Sequence, residues 1–133
     1  MNNNTEVKIL LVEDDSDDAE LTIHALKKHN VTNPIIHIDD GEKALEFLFG
    51  ENQKPSLILL DLKMPRVDGI QILRKLKADP DRQSIPVVAL ISSKEGINYL
   101  ESFDVKADAY MIKPVDYTQF TAVVAQIGIS SLF

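Results

Sequence analysis

The sequence contains no cysteine. That excludes a disulfide framework, thiolate-held metal sites and a cysteine nucleophile. No apolar run is long enough to span a bilayer, and the start, Met1-Asn2-Asn3-Asn4, lacks the basic and apolar regions of a signal peptide. Positive charge is scarce. Fourteen Lys+Arg stand against 21 Asp+Glu, for a net charge of −7, which opposes nonspecific nucleic-acid binding and attachment to an anionic membrane. The five glycines are scattered, so no glycine-rich cradle supports a P-loop or dinucleotide-binding reading. There is no internal repeat, linker or low-complexity stretch. The expectation is a cytoplasmic protein with no nucleic-acid or membrane partner.

What is present suits one ordinary domain: 133 residues, 44% hydrophobic and 26% charged. Short apolar runs of buried-strand length alternate with amphipathic segments. The strands are expected at 7–12, 34–38, 56–60, 87–91 and 109–112. Helices are expected at 16–28, 41–49, about 69–78, 95–103 and 117–127. Ala19, Ile23 and Leu26 share one helix face, as do Ala44, Leu45 and Leu48, and Phe120, Val123, Val124 and Ile127. Five strand–helix units in alternation call for a parallel sheet covered by helices on both faces. Residues 1–6 read as a flexible tail, 7–128 as the domain, and 129–133 as an apolar tail, with no output domain.

Three of the runs stop on charged residues: Ile9–Val12 at Glu13-Asp14, Leu57–Leu60 at Asp61, and Ala109–Ile112 at Lys113-Pro114. The C-terminal ends of parallel strands share one edge, where ligands bind. Carboxylates and an ammonium therefore converge on one rim, a site for a divalent cation and a phosphoryl group. An ionised strand-end aspartate such as Asp61 can attack phosphorus without a general base. Mg²⁺ (or Mn²⁺) would relieve the repulsion between that carboxylate, its acidic neighbours and the phosphoryl oxygens. Asp14 reads as a direct ligand and Glu13 as one acting through water. Lys113 supplies fixed positive charge for the transferring oxygens, and Pro114, with a plausible cis bond, aims it. Asp15, Asp17 and Asp18 are assigned to capping and to the helix dipole. His24, His29 and His37 form no metal pattern.

Leu11-Val12-Glu13-Asp14-Asp15, then Leu59-Leu60-Asp61-Leu62-Lys63-Met64-Pro65-Arg66-Val67-Asp68-Gly69, then Tyr110-Met111-Ile112-Lys113-Pro114 together resemble a bacterial two-component response-regulator receiver domain. The likeness covers about residues 7–127. It implies a flavodoxin-like (CheY-like) doubly wound five-stranded sheet in the order 2-1-3-4-5. It also implies that Asp61 takes a phosphoryl group from a sensor histidine kinase and that the Lys63 carbonyl joins Glu13, Asp14 and Asp61 around the metal. Lys113 pairs with the phosphate, Tyr110 is the switch aromatic, and Pro65 and Gly69 are positioning residues. The Asp79-Pro80-Asp81 loop, Ser92-Ser93-Lys94-Glu95 and Pro114-Val115-Asp116 resemble the single-domain subgroup that partners phytochrome-type kinases. Such a protein signals through protein–protein contacts. A homodimer would form through the helix after the fourth strand, the fifth strand and the last helix, or through the apolar tail.

One position departs from that pattern. The family usually carries Thr or Ser at the end of the fourth strand, and here the residue is Ile91. A hydrogen bond to a charged group is worth roughly 1.5–3 kcal/mol. Either Ser92 takes the role over or coupling between phosphorylation and switching is weakened, and the preferred reading is weakened coupling. The alternative to a working regulator is thus a receiver-derived scaffold or phosphate sink. Enzymatic turnover is not expected. A haloacid-dehalogenase-like phosphatase needs a second Asp two residues after its nucleophile, where this chain has Lys63. A flavodoxin needs a hydroxyl-rich phosphate loop after the first strand, where Glu13-Asp14-Asp15 would repel the ligand.

Overall fold

The apolar runs are the strands of one sheet. The computed structural model describes residues 8–28, 31, 33–50, 54–62, 68–92 and 105–128. Over these, β1 (Ile9–Val12), β2 (Ile35–Ile38), β3 (Leu57–Asp61), β4 (Val87–Ile91) and β5 (Ala109–Ile112) alternate with α1 (Ser16–Lys28), α2 (Gly41–Phe49), α3 (Gly69–Ala78) and α4 (Tyr117–Gln126). All neighbouring strands are parallel, in the order β2-β1-β3-β4-β5. The central strands β1, β3 and β4 are buried throughout, as expected where helices cover both faces of a parallel sheet. The edge strands β2 and β5 are partly open.

Side chains alternate along each strand, so the sheet feeds two cores. Leu10, Val12, Ile58, Leu60, Ala89 and Ile91 pack on the α2 and α3 side. Ile9, Leu11, Leu57, Leu59, Leu90 and Met111 pack on the α1 and α4 side. Continued by two residues, the second set reaches Glu13, Asp61 and Lys113. Period-2 geometry thus puts all three rim charges on the α1–α4 side.

Each described helix follows an aspartate. Asp40, Asp68 and Asp116 cap α2, α3 and α4. The Asp15 side chain accepts the Asp18 N–H at 3.0 Å at the start of α1, so four orphan helix ends are satisfied by the same chemistry. The strand expected to end at Leu60 continues through Asp61, because Asp61 lies opposite Leu90 in the β3–β4 ladder. Ile23, Leu45 and Ile127 are only partly buried, since each lies at the margin of its helix's packed face. The helix expected at 95–103 lies outside the described residues, as do Val7, both tails, His29, Lys63 and Pro65.

Candidate functional site

At the C-terminal rim, Glu13 is fully buried and Asp61 is 4% exposed, while Asp14 is open to solvent. Carboxylate oxygens of these three residues lie within 4.8 Å of one another. The Lys113 ammonium reaches in from the end of β5, 3.1 Å from Glu13 Oε1 and 3.4 Å from Asp61 Oδ2. One cation therefore faces a cluster of acids that it cannot neutralise. Burial first, and then the neighbouring Asp61, push the Glu13 carboxyl up to about 8. The same two causes, in the same order, raise Asp14. Burial works against the Lys113 ammonium, but Asp61 and Glu13 outweigh it and hold its pKa above the ordinary lysine value.

The donor set fits a hard divalent cation. Mg²⁺ favours carboxylate oxygens and Ca²⁺ and Mn²⁺ accept them. Among the described residues Glu13, Asp14 and Asp61 are the one cluster close enough to share an ion. Glu13 Oε1 is buried beside Lys113 yet lacks a well-directed hydrogen bond, as an oxygen poised for a cation would be.

Several supporting residues were not legible as such. Asp18, assigned above to the helix dipole alone, also places Oδ2 3.4 Å from Lys113 Nζ. Its position on the first turn of α1 aims it at the same side of the sheet as the rim charges. His37 lies on the exposed edge of β2, and its Nε2–H donates to the Glu13 carbonyl at 2.8 Å. That bond supplements the Glu13 N–H to Ile38 carbonyl bond at 3.1 Å. Nothing in the local sequence signals either contact.

Gly69 begins α3, and its N–H donates to the Leu62 carbonyl at 3.1 Å. A Cβ at this position would sit 2.3 Å from the Asp61 carbonyl oxygen and 2.6 Å from Leu62 Cα. Only glycine allows the helix start to approach the strand end this closely. The Lys113–Pro114 peptide is cis. Ile91 is buried, faces Ile112 across the β4–β5 ladder and packs on the α2–α3 side, where Tyr110 is half-buried. Ser92 follows immediately after the strand ends and is exposed.

The response regulator receiver domain family matches this sequence over residues 9–125. The chain belongs to that family. Receivers act in two-component signalling, with histidine kinases as their partners. This receiver is 36% identical over 110 residues to response regulator Rcp1 of Synechocystis sp. (strain ATCC 27184 / PCC 6803 / Kazusa), covering 79% of this chain and 75% of Rcp1. The Mn²⁺-bound form of Rcp1 superposes with a TM-score of 0.71 at 34% identity, covering 94% and 92% of the two chains. The bacteriophytochrome response regulator AtBRR superposes with a TM-score of 0.86 at 37% identity, over 92% and 93%. The phosphorylated cyanobacterial phytochrome response regulator RcpA gives 0.71 at 32% identity, over 95% and 92%. No helix among the described residues is long and apolar enough to cross a membrane.

Proposed function

We propose that this receiver accepts a phosphoryl group on Asp61 from a phytochrome-type sensor histidine kinase and signals through protein–protein contacts. The observation that carries the proposal is that Asp61 shares one rim with the Lys113 ammonium, 3.4 Å away, and with the Glu13 and Asp14 carboxylates. An Asp61 carboxylate oxygen attacks phosphorus and forms a new O–P bond as the P–N bond to the donor histidine breaks. The bonding pair leaves with the imidazole nitrogen, which takes up a proton. Lys113 meets the negative charge carried by the phosphoryl oxygens. Glu13, Asp14, Asp61 and the Lys63 carbonyl would hold Mg²⁺ or Mn²⁺, which supplies the charge neutralisation that lets two anions meet. The kinase class is supported by the likeness to AtBRR and RcpA, which are described as phytochrome response regulators.

Acetyl phosphate with Mg²⁺ should modify the wild-type chain and leave Asp61→Asn unmodified, as read by intact-mass spectrometry. A wild-type chain that stays unmodified refutes the proposal and favours a receiver-derived scaffold.

Ile91 supports a second element of the reading, weakened switching. Its side chain offers no donor and is held in an apolar cluster. Restoring a hydroxyl with Ile91→Thr should enlarge the phosphorylation-induced NMR shifts around β4 and β5. Equal shifts in both proteins refute the weakening.

A further inference from the structure

Two helices in this chain open with the same signature and use it differently. Asp68-Gly69-Ile70-Gln71 and Asp116-Tyr117-Thr118-Gln119 each pair an N-cap aspartate with a glutamine three residues on. Both aspartates accept the glutamine's backbone N–H, at 3.0 Å for Gln71 and 2.8 Å for Gln119. In α3 the Gln71 side chain completes the box by accepting the Asp68 N–H at 3.0 Å. Gln119 reaches back to β5 instead. Its Oε1 accepts the Ile112 N–H at 2.8 Å, and its Nε2 donates to the carbonyls of Ile112 at 2.9 Å and Pro114 at 3.2 Å.

β5 is an edge strand. The Lys113 N–H donates inward to the Ile91 carbonyl at 2.8 Å, so by the alternation of a parallel ladder Ile112 turns its peptide groups outward. One side-chain amide supplies the donor and the acceptor that a further strand would have offered there. The third bond serves no edge. With it, Nε2 holds the carbonyls on both sides of Lys113. A lysine is a point charge on a flexible stem, so its accuracy at the rim depends on how firmly its backbone is held. The same amide therefore braces the residue whose ammonium stands 3.4 Å from Asp61.

We propose that Gln119 is a positioning residue for Lys113, clasping the carbonyls of the residues on either side of it so that the ammonium is held at the Asp61 rim. The proposal rests on Asp61 being the phosphoacceptor. Its test is a double-mutant cycle on phosphorylation by acetyl phosphate with Mg²⁺, using Gln119→Leu, Lys113→Ala and the pair. Gln119→Leu keeps the bulk and removes all three bonds. It should slow phosphorylation by roughly tenfold, up to about 100-fold, and add no further loss to Lys113→Ala. An equal fold-loss in both backgrounds, as a merely structural role predicts, overturns the proposal, as does a wild-type rate for Gln119→Leu.

Gln119→Glu keeps the acceptor and loses both donors, and it serves if the leucine variant does not fold. It too should be slowed, and a wild-type rate overturns the clasp. Independently of phosphorylation, NMR of the wild-type chain should show couplings across the hydrogen bonds from Gln119 Nε2 to the Ile112 and Pro114 carbonyls. Their absence overturns the geometry. Couplings in a wild-type chain that stays unmodified instead refute the Asp61 assignment, and the role of the clasp falls with it.

Discussion

Replacing Gly69 by alanine sets two physical effects against each other, and the structure decides the sign. Gly69 is the first residue of α3. By helix propensity alone, alanine gains up to about 1 kcal/mol over glycine in a helix. The added Cβ, however, would lie 2.3 Å from the Asp61 carbonyl oxygen and 2.6 Å from Leu62 Cα, where ordinary contact begins at 3.4 Å. Both obstacles are backbone, so relief requires moving the end of β3 or the start of α3 by about 1 Å. Overpacking of this kind costs typically about 1–3 kcal/mol and sometimes more. Because both obstacles are backbone, the cost falls at the upper end, about 3 kcal/mol, which leaves a net loss of about 2 kcal/mol after the propensity gain of about 1 kcal/mol. Spread over the unfolding entropy of a chain this size, that lowers Tm by roughly 7 °C. Differential scanning calorimetry on the metal-free chain measures it directly. Gly128 provides the control, because its φ is +81° and nothing lies within 4 Å of a Cβ there. Gly128→Ala carries only left-handed strain of roughly 1–2 kcal/mol. Gly69→Ala should also slow phosphorylation, since the displaced carbonyl belongs to Asp61, whereas Gly128→Ala should not. An unchanged or raised Tm for Gly69→Ala refutes the collision.

Other outcomes follow from the same geometry. Asp14→Asn should weaken Mg²⁺ binding at least tenfold by isothermal titration, while Asp17→Ala should leave it within about twofold, because only Asp14 belongs to the cluster. With chelator present, stability should fall as pH rises from 5 to 8. The Glu13 carboxyl is pushed up to about 8, so the folded chain holds that proton more tightly than the unfolded chain does. The resulting contribution, on the order of a few kcal/mol, is full below the unfolded value and lost as pH passes through the folded one. Saturating Mg²⁺ should flatten that slope, and a metal-free melt independent of pH in this range counts against the raised value. Asp18→Asn removes one of three anions from Lys113 and should change the dephosphorylation rate of the modified protein without changing Mg²⁺ affinity by more than about threefold. A large change in affinity would place Asp18 in the metal set instead. Arg82 bonds the Leu48 carbonyl at the end of α2, pairs with Asp79 and stacks over Phe49. Arg82→Met should therefore lower stability by about 1–2 kcal/mol in urea titration.

The sequence by itself determined the alternation of strands and helices, the three charged strand ends and the family likeness. These are local properties: a four-residue apolar run must be buried wherever it lies, and a charge at its end must leave the core. Which side of the sheet those charges take was settled by the ladder registers, which place Glu13, Asp61 and Lys113 together on the α1–α4 side. Partners and distances were decided only by the tertiary structure. Asp18 looked like a helix-dipole acid until the end of β5 came within reach of α1, and His37 showed only that it fits no metal pattern until β2 lay beside Glu13. Gln71 and Gln119 occupy identical capping positions, yet one closes its box and the other braces an edge strand. The difference is that the outward-facing peptide groups of Ile112 on β5 lie beside α4, and a side chain with several rotamers takes the partners that packing presents. The demand for glycine at position 69 likewise comes from how closely α3 approaches the end of β3, a distance no local pattern encodes.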